Sequence, residues 1–248
     1  MAHGNRFRMQ HQKVQRDHLY PPVEAIGLIK QTASANFDET VELHVLLGVN
    51  VRHAEEQLRG TLALPHGLGK DVTVAVFAQG QQARDAEAAG ADFVGGDDLA
   101  KKVEEEGWTD FDVAISTPQM MGMVGKLGRV LGPQGKMPNP KVGTVTDDIE
   151  KAVSESKAGK VEYRTDRQAI VHMSIGKASL APDQLLDNFS AVMEEIIRAK
   201  PSAAKGRYIV TCTLTTTMGP GIRVDASKVG DRDEVAAAPQ AAEEPVTA

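Results

Sequence analysis

At 248 residues, 41% hydrophobic and 25% charged, the chain has the balance of a soluble globular protein, long enough for one large domain or two ordinary ones. A single cysteine, Cys212, excludes an internal disulfide and a cysteine-cluster metal site, and no run approaches the roughly 20 apolar residues of a membrane span, so a reducing cytosol is the simplest setting. The net charge of −6 argues against a nucleic-acid partner only until it is divided. Residues 1–66 carry seven bases and seven acids, 67–158 ten and fifteen, 159–228 ten and seven, and 229–248 one and five. The acidity sits in the middle and the tail, so the two outer segments can form a locally basic surface.

In chain order, the first twenty residues are a polar lead with no apolar h-region, hence no secretory signal. Pro21 to Ala33 reads as a helix with prolines in its first turn. ANFDETVELHVLLGV then alternates, with Val41, Leu43, Val45 and Leu47 on one face and Thr40, Glu42 and His44 on the other, which is a strand buried on one side. A short helix is expected over Arg52 to Leu58 and a strand over Arg59 to Leu64. Pro65-His66-Gly67-Leu68-Gly69 breaks the pattern and marks a boundary.

The middle alternates short strands (DVTVAVFAQ, ADFVGG, FDVAIST) with helices at Gln81 to Ala89 and Asp97 to Glu106, the rhythm of βαβ units and a parallel sheet. Next comes Ser116 to Val145, with six glycines, four prolines, the bases Lys126, Arg129, Lys136 and Lys141, and no carboxylate. Two readings stand side by side: an anion-binding loop, and a structural loop whose bases face water. TDDIEKAVSESKAG is a helix with Thr146 at its N-cap, closed by Ala158-Gly159 at the second boundary.

After Lys160 strands return. KVEYR and AIVHMSI flank TDRQ as a hairpin, and PDQLLDNFSAVMEEIIRAKP is a helix with one apolar stripe of Leu185, Leu186, Phe189, Val192, Met193, Ile196 and Ile197. Lys205 to Thr216 alternates as a strand and ends in the turn TMGPG. The acidic tail, poor in large apolar residues, is expected to be disordered. The two ends resemble each other in rhythm more than either resembles the middle. One α+β domain made from both ends, with the middle inserted, would explain this.

Enzyme chemistry finds little support. Gly135-Lys136 and Gly125-Lys126 lack the earlier glycine and the following Ser or Thr of a nucleotide phosphate loop, and there is no Gly-x-Ser-x-Gly elbow. Cys212 shares its strand face with Val210 and Leu214, as a packed thiol would, and neither His44 nor His172 has metal-site spacing. Two features admit another reading. Phe37, which taken alone reads as a core phenylalanine, precedes a strand with a polar open face in a chain of only ten aromatics, and TTTMGPG, which a simple hairpin turn explains equally well, carries three threonines into a glycine-rich turn topped by Met218. Hydroxyls and glycine amides bind riboses and phosphates, and an apolar side chain on open backbone can lie against a base. With Arg164, Arg167 and His172 they would make a sheet-based RNA platform.

FDETVEL (37–43), RGTLALPHG (59–67), AGADFVGG (89–96), MGMVGKLGRVLGPQGKMPNPKVGTV (121–145), AGKVEYR (158–164), KPSAAKG (200–206) and TMGPGIRVD (217–225) together closely resemble the bacterial large-subunit ribosomal protein L-one family, collinearly from about Tyr20 to Asp225. The resemblance implies a split α+β domain (1–67 with 159–228) and an inserted Rossmann-like α/β domain (68–158); the acidic tail (229–248) is an extension about which it says nothing. It implies a cytoplasmic, non-enzymatic constituent of the large ribosomal subunit, monomeric when free, without cofactor or membrane. Its partners would be the large-subunit rRNA of the mobile stalk beside the tRNA exit site, exit-site tRNA, whose release it assists, and its own mRNA leader, which it represses. By matching position the RNA site comprises Phe37, Thr40, Glu42, Thr217, Met218, Gly219 and Gly221, with Arg164, Asp166, Arg167 and His172 beside them. Lys126, Arg129, Lys136 and Lys141 form a secondary basic loop. Asn36 stands where the family commonly has lysine, and Gln168-Ala169 where a glycine-containing turn is usual. The competing reading is a nucleotide-dependent α/β enzyme using the inserted segment.

Overall fold

The computed structural model describes residues 4–225, without the side chains of Ala54 and Lys141. The acidic tail, 229–248, lies outside the described residues. The helices are α1 (Asn5–Gln12), α2 (Pro22–Thr32), α3 (Gln81–Ala88), α4 (Asp97–Glu106), α5 (Met121–Val124), α6 (Gly128–Leu131), α7 (Ile149–Lys157) and α8 (Pro182–Arg198). The strands are β1 (Thr40–Leu47), β2 (Arg59–Ala63), β3 (Val74–Phe77), β4 (Phe93–Gly95), β5 (Val113–Ser116), β6 (Lys160–Arg164), β7 (Ile170–Lys177), β8 (Ile209–Thr216) and β9 (Ile222–Val224). The architecture is mixed α and β, compatible with the expected α+β class.

Both ends of the chain contribute to a four-stranded antiparallel sheet of order β7-β1-β8-β9. Alternation in β1 decides which face is covered. Val41, Leu43, Val45 and Leu47 are buried with Val171, Met173 and Ile175 of β7 and Cys212 and Leu214 of β8, while the intervening residues stay at least partly accessible. α2 and α8 pack against the buried side. α8 starts at Pro182, whose fixed φ suits the first turn, and the Gln184 side chain accepts the Ala181 amide. It buries Leu185, Phe189, Val192, Met193 and Ile196, each contributing roughly 1.5–3 kcal/mol. Ile197, expected in the same stripe, is exposed because it lies one residue round the helix from Ile196. Burial pushes the Cys212 thiol up to about 12, so it is a packing group.

The middle forms a parallel sheet of order β4-β3-β5, extended by a parallel bridge between Ser116 and Val145. One side packs on α4, α5 and α6 through Ala100, Val103, Val124 and Leu131, and the other on α3 and α7 through Ala86, Ile149 and Val153. The chain enters and leaves this region at two touching glycines. Gly67 and Gly159 both have positive φ, and a Cβ on Gly159 would lie 2.8 Å from the Gly67 Cα. Buried Asn188 fixes the crossing: its amide donates to the Gly67 carbonyl (3.0 Å) and the Ile175 carbonyl (2.8 Å), and its oxygen accepts the His66 amide (3.1 Å).

Several local expectations are corrected. KVEYR does not form a two-stranded hairpin ladder with AIVHMSI: β6 pairs with β2, about a hundred residues earlier, and the chain joins β7 through the Thr165–Val171 bridge and the Asp166 amide donating to the Ile170 carbonyl. The helix of 52–58 shrinks to one 3₁₀ turn, Ala54–Glu56. Asp148, not Thr146, caps α7, accepting the Lys151 amide, while Thr146 accepts the Asp148 amide. The polar lead contains α1. Ser116 to Val145 is not one loop, since 121–131 coils continuously through α5, a 3₁₀ turn and α6.

Candidate nucleic-acid interface

The open side of the four-stranded sheet carries Thr40, Glu42 and His44 from β1, His172 and Ser174 from β7, and Thr213 and Thr215 from β8. The register sets them in rows: Ser174, Glu42 and Thr215, then His172, His44 and Thr213. At the end of this face the segment before β1 meets the turn after β8, and there the two large exposed apolar side chains of the region stand, Phe37 (55% exposed) and Met218 (52%). Both stand out at the end of a sheet face that is otherwise polar.

Their support is rigid. Glu39 is only 1% exposed, yet one carboxylate oxygen accepts the amides of Ser34 (2.8 Å) and Ala35 (2.7 Å) and the other accepts the Met218 amide (3.0 Å). Burial alone would raise its pKa; the Met218 amide, the Thr216 hydroxyl and the Ala35 and Ser34 amides outweigh that and hold it below the usual range. Glu39 is therefore an ionised clip joining the Phe37 segment to the Met218 turn. Thr40 and Thr217 add a second tie, the Thr40 amide donating to the Thr217 hydroxyl (3.0 Å) and the Thr217 amide to the Thr40 carbonyl (3.1 Å). Lys177 donates to the Thr40 hydroxyl (2.8 Å), and Asp38 accepts the Ser179 amide and hydroxyl. Gly219 sits so close over Thr216 that a Cβ would lie 2.3 Å from its hydroxyl oxygen.

Beside this clip runs a polar chain. Glu42 lies 3.6 Å from His44, the Nδ1 atoms of His44 and His172 are 2.8 Å apart, and His172 Nε2 is 3.5 Å from Asp166. One ring donates and the other accepts across this contact. Burial first, and then His172, lower the His44 pKa, with Glu42 opposing. Asp166 mainly shapes the turn, accepting the amides of Ile170 and Gln168 (both 2.8 Å), and the Ile170 bond leads the lowering of its pKa. Ala169 takes φ 63 here, the left-handed conformation that a glycine would adopt without strain. Arg164 and Arg167 are exposed and line a cleft with Arg52.

The structure thus brings Phe37, Thr40, Thr217, Met218 and Gly219 together, with Glu42 and His172 further along the same sheet face and Gly221 beyond the turn. Glu39, Lys177 and His44 were missed by the sequence reading. A signal for Glu39 existed: it has the parity of the buried face of β1, where a carboxylate needs partners.

The secondary basic stretch is divided. Lys126 and Arg129 are exposed around a shallow cleft shared with Glu104. Lys136 turns inward, donating to the Thr109 carbonyl (2.8 Å) and lying 5.4 Å from the Phe111 ring centre. The side chain of Lys141 lies outside the described residues. Among the described residues no group of three His, Cys, Asp or Glu could hold a metal ion, and no helix is long and apolar enough to cross a membrane.

A family model described as "Ribosomal protein L1p/L10e family" matches residues 29–220, which include Phe37, the Glu39 clip, both crossing glycines and the turn to Pro220. With that match spanning well over half of its length, the chain belongs to the ribosomal protein L1p/L10e family.

Proposed function

We propose that this ribosomal protein binds large-subunit rRNA at the mobile stalk beside the tRNA exit site, through the open face of the four-stranded sheet. The observation that carries the reading is the pair of exposed apolar side chains, Phe37 and Met218, held over buried Glu39 at the end of a polar sheet face. Unstacked RNA bases stack on aromatic and apolar side chains, while hydroxyls and carboxylates read riboses and base amines. In this reading Phe37 and Met218 meet bases or sugars, Thr40, Thr217 and Glu42 bond ribose hydroxyls, and Gly219 and Gly221 let the RNA backbone approach. Arg164 and Arg167 neutralise phosphate, His172 hydrogen-bonds the RNA, and Asp166 holds the turn between β6 and β7.

The chain is organised as a split domain of residues 1–67 and 159–228, with 68–158 inserted as a Rossmann-like α/β domain. The paired crossing at Gly67 and Gly159 supports this division. On the ribosome the inserted domain faces passing tRNA, with Lys126 and Arg129 outward, and assists release of deacylated tRNA. Free protein, as a monomer in the cytoplasm, binds a similar RNA fold in its own messenger and represses translation.

Chemical protection of large-subunit rRNA by purified protein tests the main reading: a footprint confined to the stalk is expected, and no stalk protection at saturating protein contradicts it. A reporter carrying the upstream messenger is expected to fall with added protein; an unresponsive reporter removes the repressor role alone.

A further inference from the structure

The N-terminal helix presents a second charged surface. α1, NRFRMQHQ, carries Arg6, Arg8 and His11 and no acid. The chain behind it is firmly tied down. Val14 enters the main core, the Lys13 ammonium donates to the Gln31 carbonyl (3.2 Å), and the Gln15 amide donates to the Tyr20 hydroxyl (2.9 Å). Tyr20 bridges Val224 in parallel: its amide donates to the Arg223 carbonyl (3.0 Å), and its carbonyl accepts the Asp225 amide (2.9 Å). α1 is thereby held beside β9, the strand that follows the TMGPG turn.

Between α1 and the sheet lies an open groove of about 650 Å3, lined on its polar side by Arg8, His11, Arg16, Thr213, Gly221 and Arg223. No carboxylate lines it, and none of the three arginines forms an ion pair with a described carboxylate. Guanidinium groups lining one groove with no carboxylate among the lining residues favour a bound polyanion. Thr213 belongs to the open sheet face and Gly221 to the proposed RNA site, so the groove continues that surface.

We propose that the groove between α1 and β9 holds the phosphodiester backbone of the RNA as it runs past Gly221, with Arg8, Arg16 and Arg223 each neutralising a phosphate. This rests on the sheet-face reading and extends it across the sheet edge, making the N-terminal helix part of the binding surface.

The test uses the full chain and a stalk fragment of large-subunit rRNA, with affinity measured between 0.05 and 0.3 M salt as about the useful range. Replacing the three arginines together, R8Q/R16Q/R223Q, is expected to make the log–log salt slope shallower by about two to three and weaken binding on the order of 100-fold at about 0.1 M salt. The matching lysine variant, R8K/R16K/R223K, is expected to keep the slope, because phosphate neutralisation needs the charge. An unchanged affinity and slope in the glutamine variant, with circular dichroism showing it folded, overturns the groove. Met218→Asp measured in parallel separates the two claims: if it abolishes binding while the glutamine variant does nothing, only the groove fails. If neither variant matters, the sheet-face reading fails as well.

Discussion

Two glycine-rich segments compete for attention in this chain, and they are built in opposite ways. Ser116 to Val145 has the more conspicuous composition, with four bases and no acid. Yet it spends much of itself on structure: Met120, Val124, Leu127 and Leu131 are buried at helical spacing, and Lys136 is turned inward onto the Thr109 carbonyl. The 34–40 and 216–221 segments carry two acids, Asp38 and Glu39, and no base, but they lift Phe37 and Met218 into solvent on a buried, ionised carboxylate. The proposed RNA site rests on the second arrangement, exposed apolar groups above a buried carboxylate, and not on charge density.

The sharpest way to break this contrast is Met218→Asp. It removes an exposed apolar contact and adds a negative charge that would face the RNA phosphates, so stalk-rRNA affinity in a filter-binding assay is expected to fall about 100-fold or more. Glu39→Ala attacks the clip instead. Three backbone amides lose a charged acceptor, and urea denaturation is expected to show a loss of about 3 kcal/mol.

The same carboxylate has a pH signature. A glutamate with a depressed folded pKa contributes stability that is present above its unfolded value and is lost as pH falls below about 4. Glu39→Gln is therefore expected to be less stable at pH 7 and to show a flatter acid limb than the wild type in thermal melts from pH 7 to pH 3. A parallel acid limb would contradict the clip. Gly219→Ala forces its new Cβ against Thr216 and shifts Met218, so affinity is expected to fall about tenfold, with a stability loss of about 1 kcal/mol. Lys126→Ala with Arg129→Ala is expected to do least, changing stalk-rRNA affinity by about threefold or less, since these exposed bases sit on the other region.

Much of this could be read from the residues before the structure. Alternation in VELHVLL announced which face of β1 is buried, and the spacing of Leu185, Phe189, Val192 and Ile196 announced α8. What failed was what local pattern does not encode. KVEYR is a strand, but its partner RGTLA lies a hundred residues away, and a nearby turn made a hairpin the simpler reading. The coil of 121–131 was hidden by Gly122, Gly125 and Gly128, poor helix formers that tertiary packing overrides. In the site, Phe37 and Met218 were visible because large apolar residues in polar loops are unusual. Glu39 was passed over because an acid in a polar motif reads as solvated until its parity with Val41 and Leu43 is noticed. The basic character of α1 was concealed by summing charge over residues 1–66, where later acids cancel it.

Methionine methyl NMR compares the two regions in one sample, because Met218 stands at the proposed site and Met121 and Met123 stand in the central stretch. On adding one equivalent of stalk rRNA fragment to the full chain, the Met218 methyl resonance is expected to shift strongly while those of Met121 and Met123 stay in place. A complex in which Met121 and Met123 move and Met218 does not would contradict the assignment of RNA binding to the sheet face.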